Sequence, residues 1–327
     1  MNWKRWTALG VVAGLLIIST ITNLAVGFYQ IDFDDYVSSD FAETTIQDGA
    51  AGKVVVLNLD GVIQDTGAQG LFSTEMYDHQ AFLTQIESAG TDPNVDGIII
   101  RVNTPGGGVL ESAEIHDKIV EAQELRDTPV YISMGNMAAS GGYYIAAPAD
   151  RIVASPNTIT GSIGVIMESI NFSELAENYG VKFNTIKSGE FKDIMSPYKE
   201  MSDEERDILQ SMVDESYEEF VRIIAEGRQM DESTVRDIAD GRIYSGNQAL
   251  ENGLVDDLGD LEDTIDLLSE ELGGGDYQVV TYDYSMGMYD FFGMTAQKMF
   301  GPDPELTVLQ KLIFENRAPS LKYLYAE

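Results

Sequence analysis

Short apolar runs alternate with amphipathic stretches through most of the chain between residues 53 and 282. Lys53–Leu59 (KVVVLNL) is a β-branched run closed by Asp60-Gly61, the signature of a strand buried on both faces. Comparable runs at Gly97–Val102, Val130–Ser133, Ile152–Ala154, Val181–Ile186 and Gln278–Tyr282 predict further strands. Between some of them the apolar spacing changes from continuous to helical, over Met76–Ser88 and Val109–Leu125. Ser202-Asp203-Glu204-Glu205 is a capping box, in which serine and glutamate satisfy each other's orphan amides, and it predicts a long helix to about Arg228. A further helix is expected over Leu261–Leu272, stopped by Gly273-Gly274-Gly275. Strands alternating with helices imply an α/β fold, with a largely parallel sheet and flanking helices on both faces.

The ends have a different character. Lys4 and Arg5 precede an uncharged stretch from Trp6 to Ile31, long enough to cross a bilayer as a helix. Basic residues before it and Asp32, Asp34 and Asp35 after it predict a cytoplasmic N-terminus and an extracytoplasmic body, a single-pass cell-membrane protein. A cleaved signal peptide ending at Ala25-Val26-Gly27 would export the same body. The expected organisation is an N-terminal transmembrane helix over residues 1–30, an irregular linker over 31–52, a main domain over 53–285 and a tail over 286–327. The tail is rich in Met, Tyr and Phe, a composition suited to packing against a neighbour.

Charge and composition narrow the chemistry. The formal net charge is −35, and the first 28 residues contribute no acid, so the body is strongly anionic. Such a body has no means of neutralising phosphates, which excludes nucleic acid as a partner, and it does not suit an anionic lipid surface. There is no cysteine, hence no disulfide, no thiolate nucleophile and no thiolate-ligated metal. No metal site or cofactor is expected. The only histidines are His79 and His116, and both read as structural.

Three glycine-rich segments follow apolar runs. Asn103-Thr104-Pro105-Gly106-Gly107-Gly108 leads into the helix at Val109, a strand-turn-helix junction that turns backbone amides toward an anion or a developing oxyanion. It matches neither dinucleotide nor P-loop fingerprints. Ala138-Ala139-Ser140-Gly141-Gly142-Tyr143-Tyr144 places Ser140 at a second such junction, where it is either an exposed nucleophile or a helix cap. Thr160-Gly161-Ser162-Ile163-Gly164 is the third, and Phe191-Lys192-Asp193 lies beyond it. No Gly-x-Ser-x-Gly elbow occurs, which disfavours an α/β-hydrolase. A serine nucleophile needs a base. With histidine set aside, lysine is the next candidate, although a surface ion pair is an equal role for Lys192 on local chemistry.

These segments, in this order and spacing, together with Tyr244–Asp256 (YSGNQALENGLVD), resemble the signal peptide peptidase A family in its single-domain, Bacillus-type form. The likeness spans residues 50 to 285. It implies a serine protease domain with a Clp protease/crotonase-like fold and a Ser-Lys dyad: Ser140 as nucleophile, Lys192 as general base, Ser162 orienting the lysine, and Gly107 in the oxyanion hole. Gly141 is inferred as the second oxyanion donor. The resemblance further implies a homo-oligomeric ring, plausibly an octamer, with the dyad shared between protomers and remnant signal peptides and other extracytoplasmic peptides as substrates. A Clp-type Ser-His-Asp protease would want a histidine after Ser140, and none follows His116. A crotonase-like acyl-CoA enzyme would share the oxyanion hole but needs a cytosolic substrate. A catalytically inactive membrane scaffold on the same fold remains the third reading.

Overall fold

The computed structural model describes Trp3, Arg5 and residues 41–66, 77–284 and 321–325. The expected anchor, apart from those first two residues, lies outside the described set. Residues 44–282, with 321–325, fall in one compact unit, and the short segments 41–43 and 283–284 group with the N-terminal residues.

Nine strands form one sheet: β1 (Phe41–Gln47), β2 (Lys53–Asp60), β3 (Val95–Thr104), β5 (Val130–Ala139), β6 (Arg151–Ala154), β7 (Ile159–Gly161), β8 (Ile243–Ser245), β9 (Asp257–Leu258) and β10 (Gln278–Tyr284). Their main order is β1-β10-β2-β3-β5-β6-β9, and every pairing from β10 to β9 is parallel. The expected parallel α/β sheet is therefore present. Between β3 and β5 the chain makes β4 (Gly106–Gly108), which pairs antiparallel with β11 (Lys322–Leu324) in a second, two-stranded sheet.

The central strands are buried on both faces, and the faces separate cleanly. Val55, Leu57 and Leu59 of β2 and Ile98, Ile100 and Val102 of β3 join one core. That core is closed by α1 (His79–Thr91), α2 (Val109–Arg126), α3 (Gly141–Ala146) and α5 (Asp203–Gly227). The intervening Val54, Val56, Ile99 and Tyr131 point the other way, onto Ile265 and Leu268 of α8 (Leu261–Glu271). Alternation along a strand is the direct cause. Helices α4 (Ser173–Asn178), α6 (Glu232–Ile238) and α7 (Gly246–Glu251) complete the described elements. The capping box at Ser202 forms as expected, with Glu205 closing it.

Two expectations fail. Residues 31–52 are not wholly irregular, because Phe41–Gln47 is β1. Val181–Ile186 is not a strand: it lies in an irregular segment, with Val181 and Ile186 exposed. A β-branched run needs a neighbouring strand to satisfy its amides, and no pairing reaches this one in the chain.

Parallel strands place loops at their carboxyl ends. β3 and β5 are adjacent, with Thr104 in register with Ala138. β5 also changes neighbour along its length, pairing β6 through Tyr131–Met134 and β7 through Met137–Ala139. Its carboxyl end thus lies against two glycine-rich segments at once. The far face is separate from this edge, so Leu268→Ala, which empties a fully buried position under α8, should cost about 2–5 kcal/mol in denaturant unfolding. Turnover per folded molecule should stay unchanged.

Candidate active site

Ser140 is the hinge between β5 and α3. Its backbone sits at φ 55°, ψ −114°, a conformation that costs a non-glycine residue about 1–3 kcal/mol. Three bonds hold it there: its amide donates to the Gly161 carbonyl at 2.7 Å, and its carbonyl accepts from the Tyr143 and Tyr144 amides at 2.9 Å each. The side chain is 1% exposed, and its Oγ has no hydrogen-bond partner in the chain. Among the described residues it is the one buried side-chain polar atom in that state. A serine that merely capped α3 would bond an α3 amide, and this one does not.

The glycine-rich end of β3 closes over this hinge. A Cβ at Gly141 would lie 3.2 Å from the Gly107 nitrogen and 2.6 Å from Ser112 Oγ. A Cβ at Gly106, whose φ is +100°, would meet the Gly141 nitrogen at 2.7 Å, and one at Gly107 would strike the Ile63 carbonyl oxygen at 1.7 Å. Side chains are excluded here because two backbones touch. Gly107 has an alternating pattern of partners. Gly106 and Gly108 bond Ile63, through Ile63 N–H to Gly106 O at 2.9 Å and Gly108 N–H to Ile63 O at 2.8 Å. The Gly107 amide therefore faces the other way, beside the first amide of α3, that of Gly141. Two convergent N–H groups next to a serine hydroxyl form an arrangement able to hold an oxyanion. Ser112, whose hydroxyl donates to the Gly108 carbonyl at 2.8 Å, braces the glycine strand on α2. Nothing in the local sequence singled it out.

Ser162 lies on the adjacent turn. It follows β7, is buried, adopts φ 51° and donates its amide to the Arg242 carbonyl at 2.8 Å. The Ser140–Gly161 bond holds these two serine turns together. Ser140, Gly141, Gly107 and Ser162 are thus assembled by one chain.

Lys192 is not part of that assembly. It is exposed and has no bond to the unpartnered Ser140 hydroxyl. Its turn is nevertheless well anchored. Lys187 and Lys199 both reach Asp193, at 2.7 and 3.1 Å, and Lys199 also pairs with the buried Glu205 carboxylate at the start of α5. Phe183 stacks on Tyr198 with centroids 4.0 Å apart. The histidines are structural as expected: His79 bridges Tyr77 and Glu114 at 2.6 and 2.7 Å, and His116 packs edgewise on Tyr144. No cluster of metal-ligating side chains occurs among the described residues.

The groove beside Ser140 contains part of the chain itself. β11 pairs Tyr323 with Gly107, while Lys322 exchanges bonds with Ile166 on the other side, at 3.0 and 3.1 Å. The Tyr323 ring is fully buried, stacked on Tyr144 at 4.9 Å and leaning on Phe220 at 4.6 Å. Its hydroxyl donates to the Ser216 carbonyl at 2.9 Å. Burial raises the pKa of both Tyr144 and Tyr323 well above that of an ordinary phenol, so both rings stay neutral.

A strained backbone and an unpaired buried hydroxyl both reduce stability. Ser140→Ala removes the orphan oxygen and keeps the backbone, so it should raise unfolding free energy by about 1 kcal/mol. Ser140→Gly should also relieve the positive φ. Thermal unfolding of the two variants beside the wild type measures both effects, and a loss of stability in Ser140→Ala would mean the hydroxyl has a structural partner.

Comparison with known proteins agrees with this geometry. Residues 122–273 match the model of peptidase family S49. The chain is 45% identical over 293 residues to a protein bearing the name signal peptide peptidase SppA in Enterococcus faecium, covering 86% of this chain and 85% of that one. It is 35% identical to a protease of Methanocaldococcus jannaschii over 71% of this chain and 74% of the relative. Against Protease 4 of Haemophilus influenzae the identity is 31%, over 78% of this chain but 40% of the longer relative. A peptidase-family match and near-full-length identity to a signal peptide peptidase, on a chain that aims two backbone amides at a buried serine, place it in one group: the chain belongs to the signal peptide peptidase A family of the S49 peptidases.

Proposed function

We propose that the chain is a membrane-anchored serine endopeptidase that cleaves remnant signal peptides and other extracytoplasmic peptides, with Ser140 as nucleophile and Lys192 as general base. The observation that carries this reading is the strained, buried Ser140, whose Oγ is left unbonded beside the Gly107 and Gly141 amides. A residue held at that cost and left without a partner is suited to reaction.

In the proposed reaction Oγ attacks the scissile carbonyl carbon, and the Gly107 and Gly141 amides take the charge that develops on its oxygen. Neutral lysine accepts the serine proton and returns it to the departing amine. Water, activated by the same base, then hydrolyses the acyl-enzyme. Ser162, on the turn bonded to Ser140, orients the lysine. The likeness in family extends the fold to the Clp protease/crotonase type.

An exposed Lys192 and an isolated Ser140 fit a dyad shared between protomers. The segment that bears Lys192 also exposes Ile170, Leu175, Tyr179, Val181 and Ile186. A contiguous run of exposed apolar residues marks an interaction surface, and a neighbouring protomer would bury it while bringing its lysine to Ser140. A closed ring of this kind admits extended peptides only and leaves each lone protomer inactive.

Three outcomes test the reading on an apolar fluorogenic peptide. Ser140→Ala and Lys192→Ala should each lower kcat by about 10³–10⁶, with Ser162→Ala losing less. The two inactive variants, co-assembled, should regain activity, because some interfaces then carry both intact halves; failure to complement would put the dyad within one protomer. The rate should rise with pH through the titration of the base, since only neutral lysine accepts a proton. A rate that fell on going alkaline would point to an acid-form group.

A further inference from the structure

We propose that the chain's own C-terminal strand is a substrate of its site. The enzyme cleaves the Tyr323–Leu324 bond, and the pocket holding Tyr323 makes tyrosine the preferred residue before the scissile bond. This rests on Ser140 as nucleophile and adds the substrate class and an activity toward the chain itself.

Register identifies the bond. In an antiparallel ladder, residues two apart point their N–H and C=O groups to the same side. On the β4 side, Val109 N–H bonds the Leu321 carbonyl at 3.4 Å, and Tyr325 N–H bonds the Pro105 carbonyl at 2.8 Å. Midway between them, Gly107 pairs with Tyr323, so the Tyr323 carbonyl is directed at the Gly107 amide. The same oxygen lies 3.2 Å from where a Gly141 Cβ would sit, and 2.1 Å from where a Gly106 Cβ would sit. It therefore occupies the position proposed above for the oxyanion. Lys322 uses its groups on the opposite side, toward Ile166, so the tail is bonded along both edges. Adding a strand in this manner is a common way to hold an extended peptide.

The side chain supplies the specificity. Of 321–325, only Tyr323 is buried, and it is completely so. Tyr144 and Phe220 grip its ring, and the Ser216 carbonyl takes its hydroxyl proton. A phenylalanine in this pocket would leave a buried carbonyl unpaired. An aliphatic residue would leave space between two rings.

Cleavage balances simply. Ser140 Oγ bonds the Tyr323 carbonyl carbon and breaks its bond to the Leu324 nitrogen. The serine proton passes through the base to that nitrogen, and the peptide Leu324–Glu327 departs as an amine. Water then splits the Tyr323 ester, which regenerates Ser140 and leaves a chain ending in the Tyr323 carboxylate.

Intact-mass spectrometry of the purified full chain tests the proposal, under conditions where it hydrolyses a separate fluorogenic peptide. The wild-type chain should end at Tyr323, while Ser140→Ala should keep Glu327. Tyr323→Ala should slow loss of the tail by at least about tenfold. In a peptide series varied only before the scissile bond, kcat/KM should fall about fivefold from Tyr to Phe, for the lost hydrogen bond, and by over about a hundredfold to Ala. A wild-type chain that hydrolyses the peptide yet keeps Leu324–Glu327, or is cut elsewhere, overturns the proposal. So does a series in which Ala equals Tyr. A chain that cleaves neither peptide nor tail overturns the Ser140 reading, and this proposal with it.

Discussion

The site depends on a contact between two backbones. The carboxyl ends of β3 and β5 come so close at Gly106–Gly108 and Ser140–Gly141 that no Cβ fits between them. Parallel pairing of β2, β3 and β5, each buried on both faces, brings those ends together. The glycines then allow the approach, and the approach aligns the Gly107 and Gly141 amides beside Ser140. The strain at Ser140 is sustained by the bond from its amide to Gly161 and by the first turn of α3. Packing over the whole sheet therefore stabilises one unfavourable residue at its edge.

Much of this arrangement was legible in the chain because it is local. Each glycine-rich turn follows an apolar strand, and that juxtaposition alone placed Ser140 and Gly107 at strand ends. The capping box at Ser202 and the stop at Gly273 were read correctly for the same reason: their partners lie within three or four residues. Val181–Ile186 shows the limit. Its composition suits a strand, but a strand is a relation between two segments, and the second is missing from this chain. Tyr323 is the opposite case. It is a core residue whose partners, Tyr144, Phe220 and Gly107, are more than a hundred residues away, so no window of sequence could reveal it. Ser112 escaped notice because a serine within a helical pattern carries no signal of what it braces.

Lys192 belongs to neither class. Its turn is fixed by Asp193, Lys187, Lys199 and Glu205, so the chain specifies where the lysine sits on its own segment. Glu205 links that network to the N-terminus of α5, and the same helix supplies Phe220 and the Ser216 carbonyl around Tyr323. One helix thus connects the turn that carries the lysine to the pocket that holds a side chain beside Ser140.

The double-edged seat of β11 has a consequence for selectivity. A ligand lying there gives up hydrogen bonds on both sides, to β4 and to Ile166, and so must arrive with both sides free. A helix has already committed its amides internally, and a strand in a folded sheet has committed at least one edge. Only chain that has lost its structure, or never had any, presents such a ribbon. Discrimination between debris and intact protein then follows from backbone valence alone, before any side chain is read.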